Sequence, residues 1–327
     1  MNKRKFLIIL SILVLCLGVV GVIAEDLVIE SKTQTFSETD NKIKFDGDVK
    51  VKFGDIKLVG DQADVSVNKD NRLDTATFYD KPYAYEVKNN KKREVKANIL
   101  KFSLLNKVIK AEGDTQTIIT EGKTPVAVIN ADMQEYDVRT NMMTASGSVS
   151  IKYKDIDAFT DKAVIQTNSK GDLKRIDLIG HAKIDQAKHR ALANHFVYDV
   201  EKEEMTAIGD ATTITILDNG KEFVLKANYQ QYSKKDGIFI GNGKVRAWYD
   251  SYYARGPKVV CYPDKVTNKP NEVFLMGRST IQENAKEITA DQIKIIIDPK
   301  NFIAEGNVRT VIRQVGGTTS TSTKVGF

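Results

Sequence analysis

Nine positions recur along this chain at nearly even intervals: Gly47, Asp80, Gly113, Gly147, Gly180, Gly209, Gly243, Gly277 and Gly306. The steps between them are 33, 33, 34, 33, 29, 34, 34 and 29 residues. A fixed period of this size means stacked units, each unable to bury its apolar face alone. The period points to an elongated stack rather than a compact globule.

The residues around each mark say what the units are made of. About Gly147, stepping by two gives Met143, Ala145, Gly147, Val149 and Ile151 on one face. Thr144, Ser146, Ser148, Ser150 and Lys152 fill the other. Alternation with period two is the pattern of strands buried on one side. The same parity turns Ile43, Phe45, Val49 and Val51 inward around Gly47, and Ile109, Ala111, Thr115 and Thr117 around Gly113. It turns Phe239 and Val245 inward around Gly243, and Phe302 and Val308 around Gly306; Leu178 holds the matching place before the weaker mark at Gly180. On this parity the glycine faces inward too. It reads as the narrow point of each unit, since a glycine inside a strand marks a bulge, a bend or a close approach.

A second marker keeps the same phase. Ala97, Ala131, Ala193, Ala227 and Ala290 each stand 16 residues before a glycine, and each is followed by Asn or Asp. Phe102, Tyr136, Tyr198 and Tyr232 lie five residues beyond four of them, and Ile295 beyond the fifth. A longer period is also visible. Gly113 to Gly209 is 96 residues and Gly209 to Gly306 is 97, each divided long, long, short. Duplication of a three-unit block gives these steps, and so does the shortening of two loops. After residue 24 no segment carries a helical stripe, and the prolines fall near run ends, as sheets require. The expected fold is all-β: two sheets with opposed apolar faces, in a sandwich, half-open roll or solenoid of roughly 20–30 strands.

The chain opens with MNKRKFLIILSILVLCLGVVGVIAEDL, a basic segment, an apolar run from Phe6 to Val22 and a small-residue site ending at Ala24. This has the form of a secretory signal peptide over residues 1–24, and an uncleaved anchor is the alternative because about 20 apolar residues span a bilayer. The whole chain carries a net charge of +6, and without the three basic residues of the leader 46 basic face 43 acidic residues. That balance speaks against a nucleic-acid partner. Past the leader the single cysteine is Cys261, so packing rather than disulfides must hold the fold. His181, His189 and His195 lack metal-ligand spacing, and no nucleophile elbow, phosphate loop or dinucleotide fingerprint is present. The expectation is a protein that is not an enzyme and holds neither cofactor nor metal. Two surface stretches stand out. KNNKKREVK offers Lys91, Lys92 and Arg93 as candidate phosphate contacts, or is a solvated hairpin. WYDSYYARG, with Trp248, Tyr249, Tyr252 and Tyr253, could stack sugars or grip acyl chains, or simply pack its strand.

The phased Ala-Asn/Asp, aromatic, Gly-Asp/Asn series behind a signal peptide resembles the OstA/LptA-like periplasmic lipopolysaccharide-transport family. The mature start DLVIESKTQTFSETDNKIKFDGDVKVKF, and the later KPYAYEVKNNKKREVKAN, are similar to that family's first strands and its K-P turn. The resemblance implies an elongated twisted half-jelly-roll, a β-taco of stacked antiparallel strands whose apolar interior groove holds the acyl chains of lipopolysaccharide or a related glycolipid. It adds Leu27, Ile29 and Tyr85 to the inward residues named above as lipid contacts. It implies end-to-end strand addition with homologous β-jelly-roll domains, or with copies of itself, in a bridge from inner to outer membrane. Location would be the periplasm, with an LptC-like anchored protein as the alternative if the leader stays. The chain is about twice the length of one such domain, so we expect a first repeat domain over 25–157, a second, continuous with it, over 158–315, and a disordered tail over 316–327. The competing reading is an envelope β-solenoid with a filled core and no ligand. A carbohydrate-active solenoid would need acidic residues gathered on one face.

Overall fold

The computed structural model describes residues 27–37, 39–70, 72–267, 270–297 and 301–313. The expected leader and tail lie outside the described residues. Among these residues there are 22 strands and no helix. The first eight are β1 Leu27–Glu30, β2 Thr33–Ser37, β3 Lys42–Phe53, β4 Ile56–Val67, β5 Leu73–Tyr79, β6 Tyr83–Lys88, β7 Lys91–Lys96 and β8 Ile99–Ser103. Twelve long strands follow: β9 Val108–Glu121, β10 Thr124–Asp137, β11 Met142–Tyr153, β12 Ile156–Thr167, β13 Leu173–Gln186, β14 His189–Asp199, β15 Glu204–Ile216, β16 Glu222–Ser233, β17 Phe239–Tyr249, β18 Tyr252–Pro263, β19 Pro270–Glu283 and β20 Lys286–Ile296. The last two are β21 Asn301–Glu305 and β22 Arg309–Ile312.

Among the described residues all pairings are antiparallel and most join strands consecutive in the chain, the exceptions being β1–β3, β4–β6, β5–β8, β7–β9 and β20–β22. From β9 to β20 each strand pairs with the next. Elsewhere two short strands share one long partner, as β1 and β2 do along β3, and β21 and β22 along β20. The result is a ladder of long rungs, the geometry that short hairpin turns impose. Strands sit about 4.8 Å apart, so the stack is on the order of 80 Å long.

Every rung bends near its middle. In β11 the pairing with β12 skips between Ser146 and Val149. Gly147 and Ser148 fill the skip with φ of +78° and +47°. Two residues oppose one, which makes a β-bulge with left-handed backbone. The eight marked glycines all have φ between +73° and +82°. The glycine-free ninth mark, Asp80–Lys81, has φ of +63° and +60°. The expectation that the glycine is an inward narrow point is corrected here. It is a corner, and its missing side chain makes room for the rung beside it. A Cβ on Gly147 would lie 2.2 Å from Asp132 Oδ2, and one on Gly113 2.8 Å from Asn98 Nδ2. The Asn or Asp after each marker alanine is that neighbour, so the two sequence markers are the two halves of one corner. The Asn98 N–H also donates to the Gly113 carbonyl at 3.0 Å, and the Asp291 N–H to that of Gly306 at 2.9 Å.

The corners align into a ridge and divide each rung into two arms. Arm one holds residues such as Lys42–Asp46 and Met142–Ser146, and arm two Val49–Phe53 and Val149–Tyr153. The inner faces meet: the rings of Phe53 on arm two and Phe102 on arm one are 5.4 Å apart, edge to face. Those residues lie on different rungs, so the arms cross at an angle, as twisted sheets do. The expected division at 157/158 falls inside β12, and one buried cluster, from Ile129 to Ala211, runs across it.

Candidate functional site

Every described repeat contributes to the space between the arms. Its lining falls into three buried clusters, from Phe45 to Ala111, from Ile129 to Ala211 and from Leu225 to Ile293. Most of the inward residues named from parity lie here. Phe45, Val49, Val51 and Ile109 belong to the first cluster, with Leu27, Ile29 and Ile43 packed against it. Met143, Val149, Ile151 and Leu178 belong to the second. Val245 belongs to the third, and Phe239 packs on it. Three named residues lie elsewhere. Tyr85 stands on the outer face, because Ala84 and Glu86 are the buried members of β6; its ring lies under the ammonium groups of Lys57 and Lys92 at 5.6 and 5.1 Å. Phe302 and Val308 are in the last described rung and are exposed, since the third cluster ends at the rung before them.

A polar bridge stands at each cluster boundary, and at the first Tyr136 packs against the clusters on both sides. At the first boundary the Thr117 hydroxyl donates to Gln134 Oε1, and Gln134 Nε2 donates to the Ile129 carbonyl at 3.1 Å. At the second the Thr213 hydroxyl donates to Gln230 Oε1, and Gln230 Nε2 donates to the carbonyls of Leu225 and Ala211 at 3.0 and 2.9 Å. Thr117, Gln134 and Gln230 are each about 97% buried. Buried polar groups of this kind are tolerated when fully bonded. Each glutamine reaches from arm one to a threonine on arm two and so ties the arms together. Thr213, Gln230 and Leu225 each lie 96 residues after Thr117, Gln134 and Ile129, and the Ala211 carbonyl is an added acceptor. Reading the sequence for apolar lining missed these groups. The signal was available as inward-parity polar residues repeating at 96.

The first bridge continues outward from the ridge. Next to Gln134 on arm one stands Tyr136, whose ring faces the Arg93 guanidinium of arm two at 4.5 Å. Arg93 lies opposite Glu86 in the β6–β7 pairing. Glu86 is 8% exposed and forms an ion pair with Lys88. Among these groups and Ile56 and Ala84 is a space of about 40 Å³, room for one or a few waters. Arg93 Nη1 is buried there with no hydrogen-bond partner among the described residues. At the free ends of the arms two turns touch across the mouth. Asn89 Nδ2 donates to the Lys170 carbonyl at 3.2 Å, and Lys91 Nζ bonds Asp172 Oδ1 at 2.6 Å. That hydrogen bond raises the Lys91 pKa and, with one from Asn168, lowers that of Asp172.

The candidate phosphate contacts are thus engaged inside the protein: Lys91 by Asp172, Lys92 by Glu94 and Arg93 by Tyr136. In the aromatic stretch, Trp248 and Tyr253 pair across strands at 5.4 Å, with Lys226 Nζ 5.9 Å from the Trp248 ring. His195 bonds Asp177 at 2.9 Å, and Asp177 also takes Arg175. His181 bonds Asp161 and His189 bonds Thr215. No group of three or more metal-type ligands occurs among the described residues. Burial pushes the Cys261 thiol up to about 11, which leaves little reactive thiolate near neutral pH. No helix of the described residues is long and apolar enough to cross a membrane.

The two ends of the ladder present edges. Among the described residues, β1 and β2 pair only with β3, and β21 and β22 only with β20. Large apolar side chains are exposed there: Val28 and Phe36 at one end, Ile303 and Ile312 at the other. Unpaired edges of this kind invite another strand.

The sequence matches the family described as the LptA/(LptD N-terminal domain) LPS transport protein, in two successive stretches, residues 28–124 and 128–237. No curated protein sequence matches it significantly. Among solved structures it aligns with LptH, the LptA homologous periplasmic component of the lipopolysaccharide transport device of Pseudomonas aeruginosa. The identity is 12%, over 40% of this chain and 96% of that one, with a TM-score of 0.35.

Proposed function

Because the chain belongs to the LptA/LptD N-terminal-domain family of lipopolysaccharide-transport proteins, we propose that it is a periplasmic carrier holding lipopolysaccharide, or a related glycolipid, by the acyl chains of its lipid A. The observation that carries this reading is the series of apolar inner faces from Leu27 to Ile293, three buried clusters present on both arms and built rung by rung. Such a surface replaces water around acyl chains at roughly 0.8 kcal/mol per methylene. In the present state the arms are closed on their own side chains, so a lipid enters by parting them. The only links across the mouth described above are one ion pair and one hydrogen bond, both at solvent-exposed turns, and such contacts are weak.

Transfer needs no catalytic group, only successive sites of like affinity, which uniform rungs provide. The edges at β1–β2 and β21–β22 suit strand addition to homologous domains or to a second copy. We read the chain as two family domains, 25–157 and 158–315, sharing one continuous sheet. The leader then acts as a secretion signal, or as an inner-membrane anchor if it stays. A filled-core scaffold is the second reading, favoured by the same closed packing.

The experiment that separates them places photo-crosslinking residues at Ile29 and Val149 in cells of a lipopolysaccharide-making host. Labelling of lipopolysaccharide at both supports the carrier. A folded protein that labels no lipid at either position, and carries none in mass spectrometry, leaves the scaffold.

A further inference from the structure

The three apolar clusters need not act as one continuous slide. Resting on the carrier reading above, we propose that the polar wall formed by Thr117, Gln134, Tyr136, Arg93 and Glu86 divides the interior into separate acyl-chain sites. One lies on its N-terminal side and one on its C-terminal side, and each takes its own molecule of a lipid with several saturated chains.

The wall stands where the first cluster ends and the second begins. Ala111 is the last buried member of one and Ile129 the first of the other, and the Tyr136 ring packs against both. At the ridge, Gln134 spans the arms and is bonded on both. Midway, the Arg93 guanidinium covers Tyr136, with the Glu86 carboxylate opposite it in the strand pairing. An acyl chain drawn through this level would strip bonds from buried amide, hydroxyl and charged groups and offer none in return. Such groups are costly to leave unpaired. On either side, back to Phe45 and on to Ala211 before the second bridge, the buried clusters are apolar and carry no such penalty.

The mouth is barred at the same level. A lipid whose chains lie between the arms keeps its head group outside the mouth. The turn at Asn89–Asn90 belongs to the fourth and fifth rungs, and the turn at 168–172 to the ninth and tenth. Because the arms cross, the link between them passes over the sixth and seventh rungs, β9 and β10, which carry Thr117 and Gln134. Asn89 to Lys170 and Lys91 to Asp172 therefore close the mouth above the wall. A bound lipid cannot move past by sliding. It must wait until the arms part.

The test uses the full mature chain and hexa-acylated lipid A in detergent as the probe. Photo-crosslinking residues replace Ile43 for the N-terminal site and Ile151 for the C-terminal site. Ile165→Trp then fills the C-terminal site. The expected result is that labelling at position 151 is lost while labelling at 43 stays within about twofold, as for independent sites. Joint loss at both positions overturns the wall. Native mass spectrometry of the unsubstituted chain gives a second readout that does not depend on the tryptophan being tolerated. Two or more lipids per chain at saturation support separate sites, and saturation at a single lipid overturns them. No label at either position and no bound lipid, with circular dichroism intact, overturns the carrier reading and the wall with it.

Discussion

The two polar bridges are the same device in different surroundings. Thr117, Gln134 and Ile129 recur as Thr213, Gln230 and Leu225, each 96 residues on, with the same donors and acceptors. Even the corners that precede them match: Gly113 against Asn98, and Gly209 against Asn194. Away from the ridge the likeness stops. At the first bridge Tyr136 is covered by Arg93, whereas at the second Tyr232 is 41% exposed. His189 holds the place of Arg93 and bonds Thr215 instead, and Ala187 holds the place of Lys91. The ridge is bound by backbone demands, a positive φ and a close approach, that few residues meet. The mouth has no such demand, so the same repeat can carry a closed wall in one copy and an open one in the next.

The largest effect expected is at the corners, where the two regions should behave alike. A valine at φ near +76° costs about 1–3 kcal/mol in strain. Its Cβ would also stand 2.8 Å from Asn98 at position 113 and 2.7 Å from Asn194 at position 209. Gly113→Val and Gly209→Val should each destabilise by about 2–4 kcal/mol in chemical denaturation. A gap above about 1 kcal/mol between them would break the equivalence of the two ridges.

The sequence announced the ridge far better than the wall. Period, strand parity and the paired markers at Ala131 and Gly147 came from local rules: two-residue alternation and the scarcity of residues that accept positive φ. The glycine was nevertheless assigned to the wrong job, because parity counts residues and cannot see a bulge that spends two of them on one place. Tyr85 lies on the outer face because β6 runs against its own alternation: Tyr83, Tyr85 and Val87 read as the apolar face, yet Ala84 and Glu86 are the buried members and Val87 is exposed. Pairing across the arms was out of reach. That Arg93 would meet Tyr136, or Lys91 would meet Asp172, depends on how far the arms cross, a quantity that no local pattern encodes.

The next effect should separate the bridges. Gln230 satisfies the Thr213 hydroxyl and two carbonyls, whereas Gln134 satisfies the Thr117 hydroxyl and one. Gln134 also borders the 40 Å³ space, through which water can reach groups left unpaired. Gln230→Leu should therefore cost about 2–3 kcal/mol and Gln134→Leu about 1–2 kcal/mol. Equal costs in denaturant titration would mean that the small space gives no relief, and that the wall is as dry as the second bridge.

The smallest effect belongs to the mouth, and it should appear at one bridge only. Lys91→Ala should leave the unfolding midpoint unchanged, because the Lys91–Asp172 pair is partly exposed and screened by salt. It should speed amide exchange at the turns 89–90 and 168–172, since it frees one arm from the other. The hydrogen bond to Lys91 and that from Asn168 hold Asp172 below the ordinary carboxylate range, so its contribution is present above that range and lost as pH falls through the lowered value. The Asp172 bond raises Lys91, so that contribution is present below the ordinary lysine value and lost as pH rises through the raised one. The difference in amide exchange between the parent and Lys91→Ala should thus be widest between about pH 4 and pH 10, and should close as pH falls through the lowered Asp172 value or rises through the raised Lys91 value. Substituting Ala187, the counterpart of Lys91, with Ser should change exchange at neither turn. Equal protection loss from both substitutions would mean that the turns are ordered by their own hairpins, and that the link across the mouth holds nothing shut.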